Sequence, residues 1–196
     1  MSLIIDLIRH GEPIGGSMYR GQSIDHPLSE KGWQQMWRGV GNEQWKFILS
    51  SPLIRCAQFS QLLAVQQDIK YVLKNNLKEI GFGEWEGKNK TELKQTRLAE
   101  FNAFYQNPLL NTPPKAENWT DFSFRIGNVY QQILKQYQHH HKILIVCHAG
   151  VIRAMVHHIM DIPIEQMVTT EIKNGYITRL YIRQAGNKLL FLNEHL

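Results

Sequence analysis

Short, largely aliphatic runs alternate along the chain with longer segments that mix apolar and polar residues. Continuous aliphatic runs are typical of strands that are buried on both faces of a parallel sheet. Four such strands are predicted, at 3–8, 46–50, 70–73 and 142–147. The mixed segments predict helices at 29–41, after Ser51, and at 91–105, 119–138 and 150–160. This alternation favours an α/β fold with a mostly parallel open sheet and helices on both faces.

Cap residues and turns add detail to this outline. Ser51 is expected to cap the second helix, with Pro52 in its first helical position. At the C-terminal end, 175–182 and 187–193 are predicted to be two strands joined by a short turn that contains Gly186. This C-terminal hairpin makes the predicted sheet mixed.

The middle of the chain departs from the alternation. Residues 77–90 are rich in glycine and irregular, and 107–118 is a loop with several proline and asparagine residues. We therefore expect residues 84–118 to form a small insertion, here called the lid, between core elements. Because no internal repeat, low-complexity tract or linker is visible, residues 1–196 are interpreted as one domain that carries this lid.

Composition and charge narrow the class of protein. The 196 residues are 43% hydrophobic, which is enough for one domain with a real core. Basic residues exceed acidic ones by five, but they form no dense run, so we interpret the excess as a solvated surface and expect no nucleic-acid partner. No apolar run reaches the roughly 18 residues that span a bilayer. We therefore expect no membrane partner, and no signal peptide is visible.

Two cysteines, Cys56 and Cys147, are too few for a disulfide framework. They are interpreted as reduced, buried thiols of a cytoplasmic protein, and Cys147 is expected to lie in the core rather than to act as a nucleophile. The three histidines at 139–141 could bind a metal, but they lie between a helix and a strand, so a solvated turn is favoured. The sequence is compatible with a monomer or a homodimer.

Cationic and imidazole side chains stand where three predicted strands end. The first strand ends in Arg9 and His10, the fourth ends in His148, and the second leads into the helix that carries Arg55. Taken singly, each would be a loop, core or surface residue. In a parallel sheet these ends share one edge, where ligands bind. The helix N-termini that follow Ser51 and Ala149 would add free N–H groups there, so the predicted guest is a phosphate group.

Four ordered motifs carry a resemblance to a known family. They are "LIRHGEP" (7–13), "SPLIRCAQ" (51–58), "LKEIGFGEWEG" (77–87) and "VCHAGVIR" (146–153). Together they resemble the histidine phosphatase superfamily, also called phosphoglycerate mutase-like, over nearly the whole chain. The resemblance implies a phosphohistidine mechanism that needs neither metal nor cofactor.

The resemblance also implies a role for each motif residue. His10 would be the nucleophile, Arg9 and Arg55 would hold the phosphate, and His148 would place a second imidazole on the phosphoryl oxygens. Glu79 matches the position of the family's general acid. A neutral imidazole can attack phosphorus, and fixed guanidinium groups stabilise the charge on the transferring group.

Two other carboxylates compete for the role of acid. Glu84 and Glu86 lie close to Glu79 in sequence, and spacing alone does not choose among them. The choice of Glu79 rests on its match to the family motif.

Details of the motifs resemble one branch of the family. "FGEWEG" (82–87) and the "YRGQ" segment (19–22) are similar to small phosphatases that include the α-ribazole-5'-phosphate phosphatases of cobalamin assembly. Many relatives carry asparagine where this chain has Gly16, so Arg20 or Gln22 would take over that phosphate contact.

The loop that resembles the family's "PPGGES" is "PPKAEN" here. Glu117 keeps its place in that loop, whereas Lys115 and Asn118 depart from the pattern. The roles of all three residues therefore stay open.

Three hypotheses for function follow. The favoured one is a phosphomonoesterase acting on a small phosphorylated metabolite, with α-ribazole-5'-phosphate as a candidate. The alternatives are a cofactor-dependent phosphoglycerate mutase and a non-catalytic module that binds a phosphorylated ligand. A non-catalytic module would have lost His10 or Glu79, and both are present.

The lid is expected to choose the substrate. Trp85 is the best candidate for stacking on a flat base such as a benzimidazole, because it follows Glu79 in an irregular, glycine-flanked stretch. Packing of the lid onto the body is the alternative role for this indole and for the other aromatic residues of the lid.

Overall fold

A single mixed sheet organises the computed structural model, which describes residues 2–196. Its six strands lie in the order β3-β2-β4-β1-β5-β6. Their bounds are β1 Ser2–Arg9, β2 Phe47–Ser50, β3 Tyr71–Leu73, β4 Lys142–Cys147, β5 Ile177–Arg183 and β6 Lys188–Glu194. The first four strands are parallel, and β5 and β6 form the antiparallel hairpin. The predicted α/β class is confirmed.

Helices cover both faces of the sheet. They are α1 Glu30–Val40, α2 Ile54–Gln67, α3 Lys90–Thr96, α4 Leu98–Gln106, α5 Trp119–Gln136, α6 Ala149–Met160 and α7 Ile164–Met167. Along β4, Ile143 and Ile145 pack towards α5 and α6, whereas Leu144 and Val146 pack towards α1 and α2. This alternation buries β4 on both faces, which explains its continuous aliphatic sequence. No helix within residues 2–196 has the length and apolar character needed to cross a membrane.

Two helix predictions need correction. The helix predicted at 91–105 is two helices, because Arg97 leaves the helical conformation (φ −142°, ψ 43°) and turns the chain between α3 and α4. The second helix begins at Ile54 rather than at Pro52, and the residue at its N-cap is Leu53. Ser51 lies outside it, where its hydroxyl is within hydrogen-bonding distance of His148.

Strand register brings three strand ends together. β4 lies between β1 and β2, with Arg9 opposite Cys147 and Ser50 opposite Val146. The next backbone hydrogen bond continues the ladder beyond β1: the N–H of His10 donates to the carbonyl of Cys147 (2.9 Å). The residues that follow all three strands therefore meet at one edge, as the parallel arrangement predicts.

The lid has a small core of its own. It consists of the buried residues Trp85, Leu93 and Phe101. The partly buried Tyr19, Phe82 and Phe104 pack against them. Tyr19 belongs to the segment that follows β1, so this cluster joins the lid to that segment.

Candidate active site

Two imidazoles stand side by side at the carboxyl edge of the sheet. His10 follows β1 and His148 follows β4, and their ring centroids are 5.2 Å apart at an interplanar angle of 63°. Both side chains are buried. Burial lowers the pKa of each imidazole well below its usual value, and the nearby guanidinium groups of Arg9 and Arg55 lower it further. Both rings are therefore neutral at neutral pH.

The hydrogen bonds of His10 define its tautomer. Its Nδ1 lies 2.8 Å from the carbonyl oxygen of Gly11, which can only accept. The proton therefore sits on Nδ1, and Nε2 keeps a free lone pair. His10 also lines a cavity of about 470 Å³, here called the main cavity. A neutral nitrogen with a lone pair beside an open cavity is the form that a nucleophile requires.

Four guanidinium groups line the main cavity, and three of them, those of Arg9, Arg20 and Arg55, share one pattern of hydrogen bonds. Their terminal N–H groups donate to backbone carbonyls, which fixes their planes. The acceptors are Ile172 for Arg9 (2.5 Å), Ile14 and Gly16 for Arg20 (2.6 and 2.7 Å), and Gly21 and Ile24 for Arg55 (2.9 and 3.2 Å).

The Nε atom of each of these three arginines is buried and has no hydrogen-bond partner in the part of the chain described. Buried donors of this kind are costly unless a ligand satisfies them. Burial also lowers the pKa of Arg9 to about 10. The arrangement suits a compact anion with several oxygens, such as a phosphoryl group.

Of the three carboxylates considered as the acid, Glu79 is the one that lines the main cavity, which Glu12 also lines. Its Oε1 accepts from the backbone N–H of Gly150 at the start of α6 (3.1 Å) and from that of Ile80 (3.0 Å). Glu84 instead forms ion pairs with Arg97 and Lys115, and neither it nor Glu86 lines the cavity. The geometry therefore favours Glu79 among the three carboxylates considered as the acid.

Glu86 has a structural task in the described fold. Its carboxylate accepts from the backbone N–H groups of Gln22 (3.1 Å), Ser23 (2.8 Å) and Phe82 (2.8 Å). These bonds tie the segment after β1 to the start of the lid.

The substrate-binding predictions separate into two groups. Arg20 and Ala149 line the main cavity. Gln22 does not, and its prediction as a phosphate contact is corrected. Its Nε2 donates to the carbonyl of Glu79 (2.9 Å) and to the carboxylate of Glu117 (3.2 Å), so its amide is already engaged beside the site.

Trp85 is a second correction. Its side chain is 0% exposed and absent from the cavity walls, so it cannot stack on a ligand as predicted. It stacks on Phe101 instead (centroids 6.1 Å apart, 23°) and meets Tyr19 and Phe104 edge to face. Burial of the large apolar indole stabilises the lid, and this gain decides its orientation.

The residues of the "PPKAEN" loop stay outside the cavity. Lys115 pairs with Glu84 (3.1 Å), and Asn118 caps α5 by accepting from the N–H of Asp121 (2.8 Å). Glu117 forms a bidentate pair with Arg125.

Several cavity residues were not found from the sequence. Asn174 donates from Nδ2 to the carbonyl of His10 (2.8 Å) and lines the main cavity. Tyr19, in the "YRGQ" segment, and Tyr105, one of the lid aromatics considered for stacking, also line the main cavity, and their hydroxyl groups lie 2.6 Å apart. Arg153 also lines the main cavity. It belongs to the motif "VCHAGVIR" and lies one turn after the start of α6, so its position in the sequence could have indicated a place at the site.

A second cavity of about 330 Å³, here called the side cavity, shares Glu79, Tyr105 and Arg153 with the main cavity. Its apolar walls include Phe104 and Trp119. Glu79 therefore stands between a cationic chamber and a partly aromatic one. In residues 2–196, no three His, Cys, Asp or Glu side chains are grouped closely enough to hold a metal ion.

The two buried imidazoles are expected to make stability depend on pH. Their lowered pKa values keep them neutral in the folded state, while the unfolded chain binds protons below about pH 6.5. Their contribution is therefore fully present above that pH and is lost as the pH falls below it. The free energy of unfolding, measured with urea at several values between about pH 7.5 and pH 5, should fall as the pH falls. It should fall less steeply with pH in His148→Asn, which lacks one of the two imidazoles. An equal dependence of the unfolding free energy on pH in wild type and variant would show that the buried His148 imidazole does not contribute.

The fold and the site define a class of protein. Residues 5–195 match the model of the histidine phosphatase superfamily (branch 1). The chain therefore belongs to that superfamily and, with the site described above, is a phosphoric monoester hydrolase.

Relatives of stated function span nearly the whole chain. The adenosylcobalamin/α-ribazole phosphatase of Escherichia coli (strain K12) is 26% identical, over 96% of this chain and 94% of that protein. The putative phosphoserine phosphatase 2 of Hydrogenobacter thermophilus is 24% identical, over 96% and 94%. The crystal structure of the α-ribazole phosphatase from Shigella flexneri has a TM-score of 0.85 at 26% identity, over 98% and 96% of the two chains.

Proposed function

We propose that the protein hydrolyses small organic phosphate monoesters through a phosphohistidine intermediate on His10. One observation carries the proposal. The neutral His10 holds its proton on Nδ1 through Gly11 and borders a cavity that it shares with three guanidinium groups whose buried Nε donors are unpartnered.

In the first step, Nε2 of His10 attacks phosphorus as the bond to the ester oxygen breaks. The phosphoryl group carries charge on three oxygens, towards which Arg9, Arg20 and Arg55 can direct their N–H groups. The imidazole becomes cationic when it is phosphorylated, and its Nδ1–H stays bonded to the carbonyl of Gly11. The leaving alkoxide takes its proton from the carboxyl group of Glu79.

In the second step, water attacks the phosphorus atom of phosphohistidine. The Glu79 carboxylate accepts the proton of that water, the P–N bond breaks and inorganic phosphate leaves. His10 returns to its neutral form and Glu79 to its protonated form, so the cycle closes without another reactant.

For the substrate we propose α-ribazole-5'-phosphate. The α-ribazole phosphatases among the relatives support this choice. The side cavity supports it as well, because it meets the main cavity at Glu79 and offers the aromatic walls Phe104 and Trp119 to a flat leaving group.

A panel of phosphate esters tests the proposal. Purified protein in EDTA should hydrolyse p-nitrophenyl phosphate and α-ribazole-5'-phosphate, with the higher kcat/KM for the latter. Activity should survive EDTA because arginine side chains supply the charge stabilisation. Conversion of 3-phosphoglycerate to its 2-isomer without net phosphate release would indicate a mutase, and loss of all turnover in EDTA that a divalent metal restores would refute the metal-independent mechanism.

We also propose that the protein works in the cytoplasm. Cys56 and Cys147 are both free and fully buried. Free thiols are typical of compartments that keep cysteines reduced.

A further inference from the structure

Arg125, on α5, uses every donor of its guanidinium group beside the active site. Nε and Nη2 bind the two carboxylate oxygens of Glu117 (2.7 and 2.8 Å). Nη1 donates to the carbonyls of Asn76 (2.8 Å) and Lys78 (2.9 Å), and Nη2 also donates to that of Glu79 (3.0 Å). Five N–H groups thus make five bonds, which is the full capacity of an arginine.

Glu117 extends the same network. Its Oε2 also accepts from the N–H of Gly81 and from Nε2 of Gln22, both at 3.2 Å. The Gln22 amide in turn donates to the carbonyl of Glu79 (2.9 Å), which therefore receives two side-chain hydrogen bonds. The segment from 76 to 81 is thus held by side chains from α5, from the loop before it and from the segment after β1.

This support matters because the backbone around Glu79 is irregular. Residues 78–82 belong to no helix or strand, so no regular ladder fixes their conformation. Within residues 2–196, the carboxylate itself accepts hydrogen bonds from the N–H groups of Gly150 and Ile80 alone. Small displacements of a catalytic group are costly, with about a 10²-fold loss of rate for roughly 1 Å.

We propose that Arg125 and Glu117 form a clamp that positions the Glu79 carboxyl for proton transfer. They are positioning residues, since neither lines the main cavity or the side cavity. The inference rests on the proposed role of Glu79 as acid and base. It assigns a function to Glu117, which the sequence left open, and to Arg125, which carried no prediction.

Arg125→Lys tests the clamp. Lysine keeps the charge but cannot form the bidentate pair and reach three carbonyls at once. We expect kcat/KM for an alkyl phosphate to fall about 10- to 100-fold, while that for p-nitrophenyl phosphate changes less than about threefold, because p-nitrophenolate leaves without a proton. Glu117→Gln, which keeps the shape of the side chain, should shift the ratio of the two substrates in the same direction.

The same substitution is then made in the Glu79→Gln background. If Arg125 acts through Glu79, adding Arg125→Lys should cause no further loss on the alkyl ester. An undiminished loss there, or equal losses on both substrates in the single variant, would show a merely structural role. If Glu79→Gln alone leaves the ratio of the two substrates unchanged, the proposed acid itself fails, which is a separate result.

Arg179→Lys provides the matched control. Arg179 forms a bidentate pair with the buried Asp6 (2.7 and 2.8 Å) in the middle of the sheet and lines neither cavity. This variant should lower the melting temperature without changing the ratio of the two substrates. A changed ratio in Arg179→Lys would mean that general destabilisation, not the clamp, alters leaving-group dependence.

Discussion

Replacing His10 by asparagine is expected to lower kcat by at least about 10⁴-fold, the order of loss when a covalent nucleophile is removed. Asparagine can still occupy the space beside Gly11, but it offers no nitrogen lone pair to phosphorus. The first measurement is kcat on p-nitrophenyl phosphate, whose good leaving group lets the intermediate form without a proton from Glu79. The second is acid-labile, alkali-stable labelling of quenched enzyme by a ³²P ester, which wild type should show and His10→Asn should lack.

Controls make this result specific to one imidazole. His139 is exposed in the turn before β4, at the opposite end of that strand from His148, so His139→Asn should keep both rate and label. Labelled peptide from wild type should contain His10. A label found on His148 would refute the assignment of the nucleophile.

Glu79→Gln is expected to lower kcat/KM for an alkyl phosphate by about 10²- to 10⁴-fold, the usual contribution of general acid catalysis. Glutamine keeps the size of the side chain and can still accept from the N–H of Gly150. It cannot donate a proton at acid strength, so an alkoxide must leave unprotonated. The value for p-nitrophenyl phosphate should change little, because p-nitrophenolate is a stable anion.

Glu84→Gln is the matched control for this comparison. Glu84 lies near Glu79 in sequence but pairs with Arg97 and Lys115 outside the cavities. It should leave the ratio of the two substrates unchanged. Equal losses on both substrates in Glu79→Gln would indicate a structural role for this carboxylate, and a changed ratio in Glu84→Gln would move the acid to the lid.

The fold was largely predictable because its sheet is encoded locally. The runs at 3–8 and 142–147 are aliphatic throughout most of their length, and each is a central strand of the sheet. The hairpin of β5 and β6 followed from its turn with Gly186. The break at Arg97 was not predicted, because the residues before and after it both favour a helix. The contacts that accompany the turn come from elsewhere in the lid: Arg97 pairs with Glu84, and Phe101 packs against Trp85.

The corrections share another cause. Trp85 was predicted to face a ligand because it follows Glu79 in an irregular, glycine-flanked stretch, but aromatic residues of α4 pack against it and bury it. Gln22 was predicted to contact phosphate, but Glu79 and Glu117 approach it from segments 57 and 95 residues away. Sequence proximity to a motif does not show which distant segment will reach a side chain first.

The sequence by itself determined the strands and the placement of Arg9, His10, Arg55 and His148 at one edge. Aliphatic continuity is a local property, and parallel strands carry whatever follows them to the same side. Only the tertiary structure decided which of Glu79, Glu84 and Glu86 reaches the main cavity and what holds it there. Arg125 and Glu79 are 46 residues apart, and their contact exists because α5 packs against the segment that follows β3. A contact between a helix and an irregular segment depends on how the whole helix docks. The residue pattern within α5 or within residues 76–81 does not by itself specify that docking.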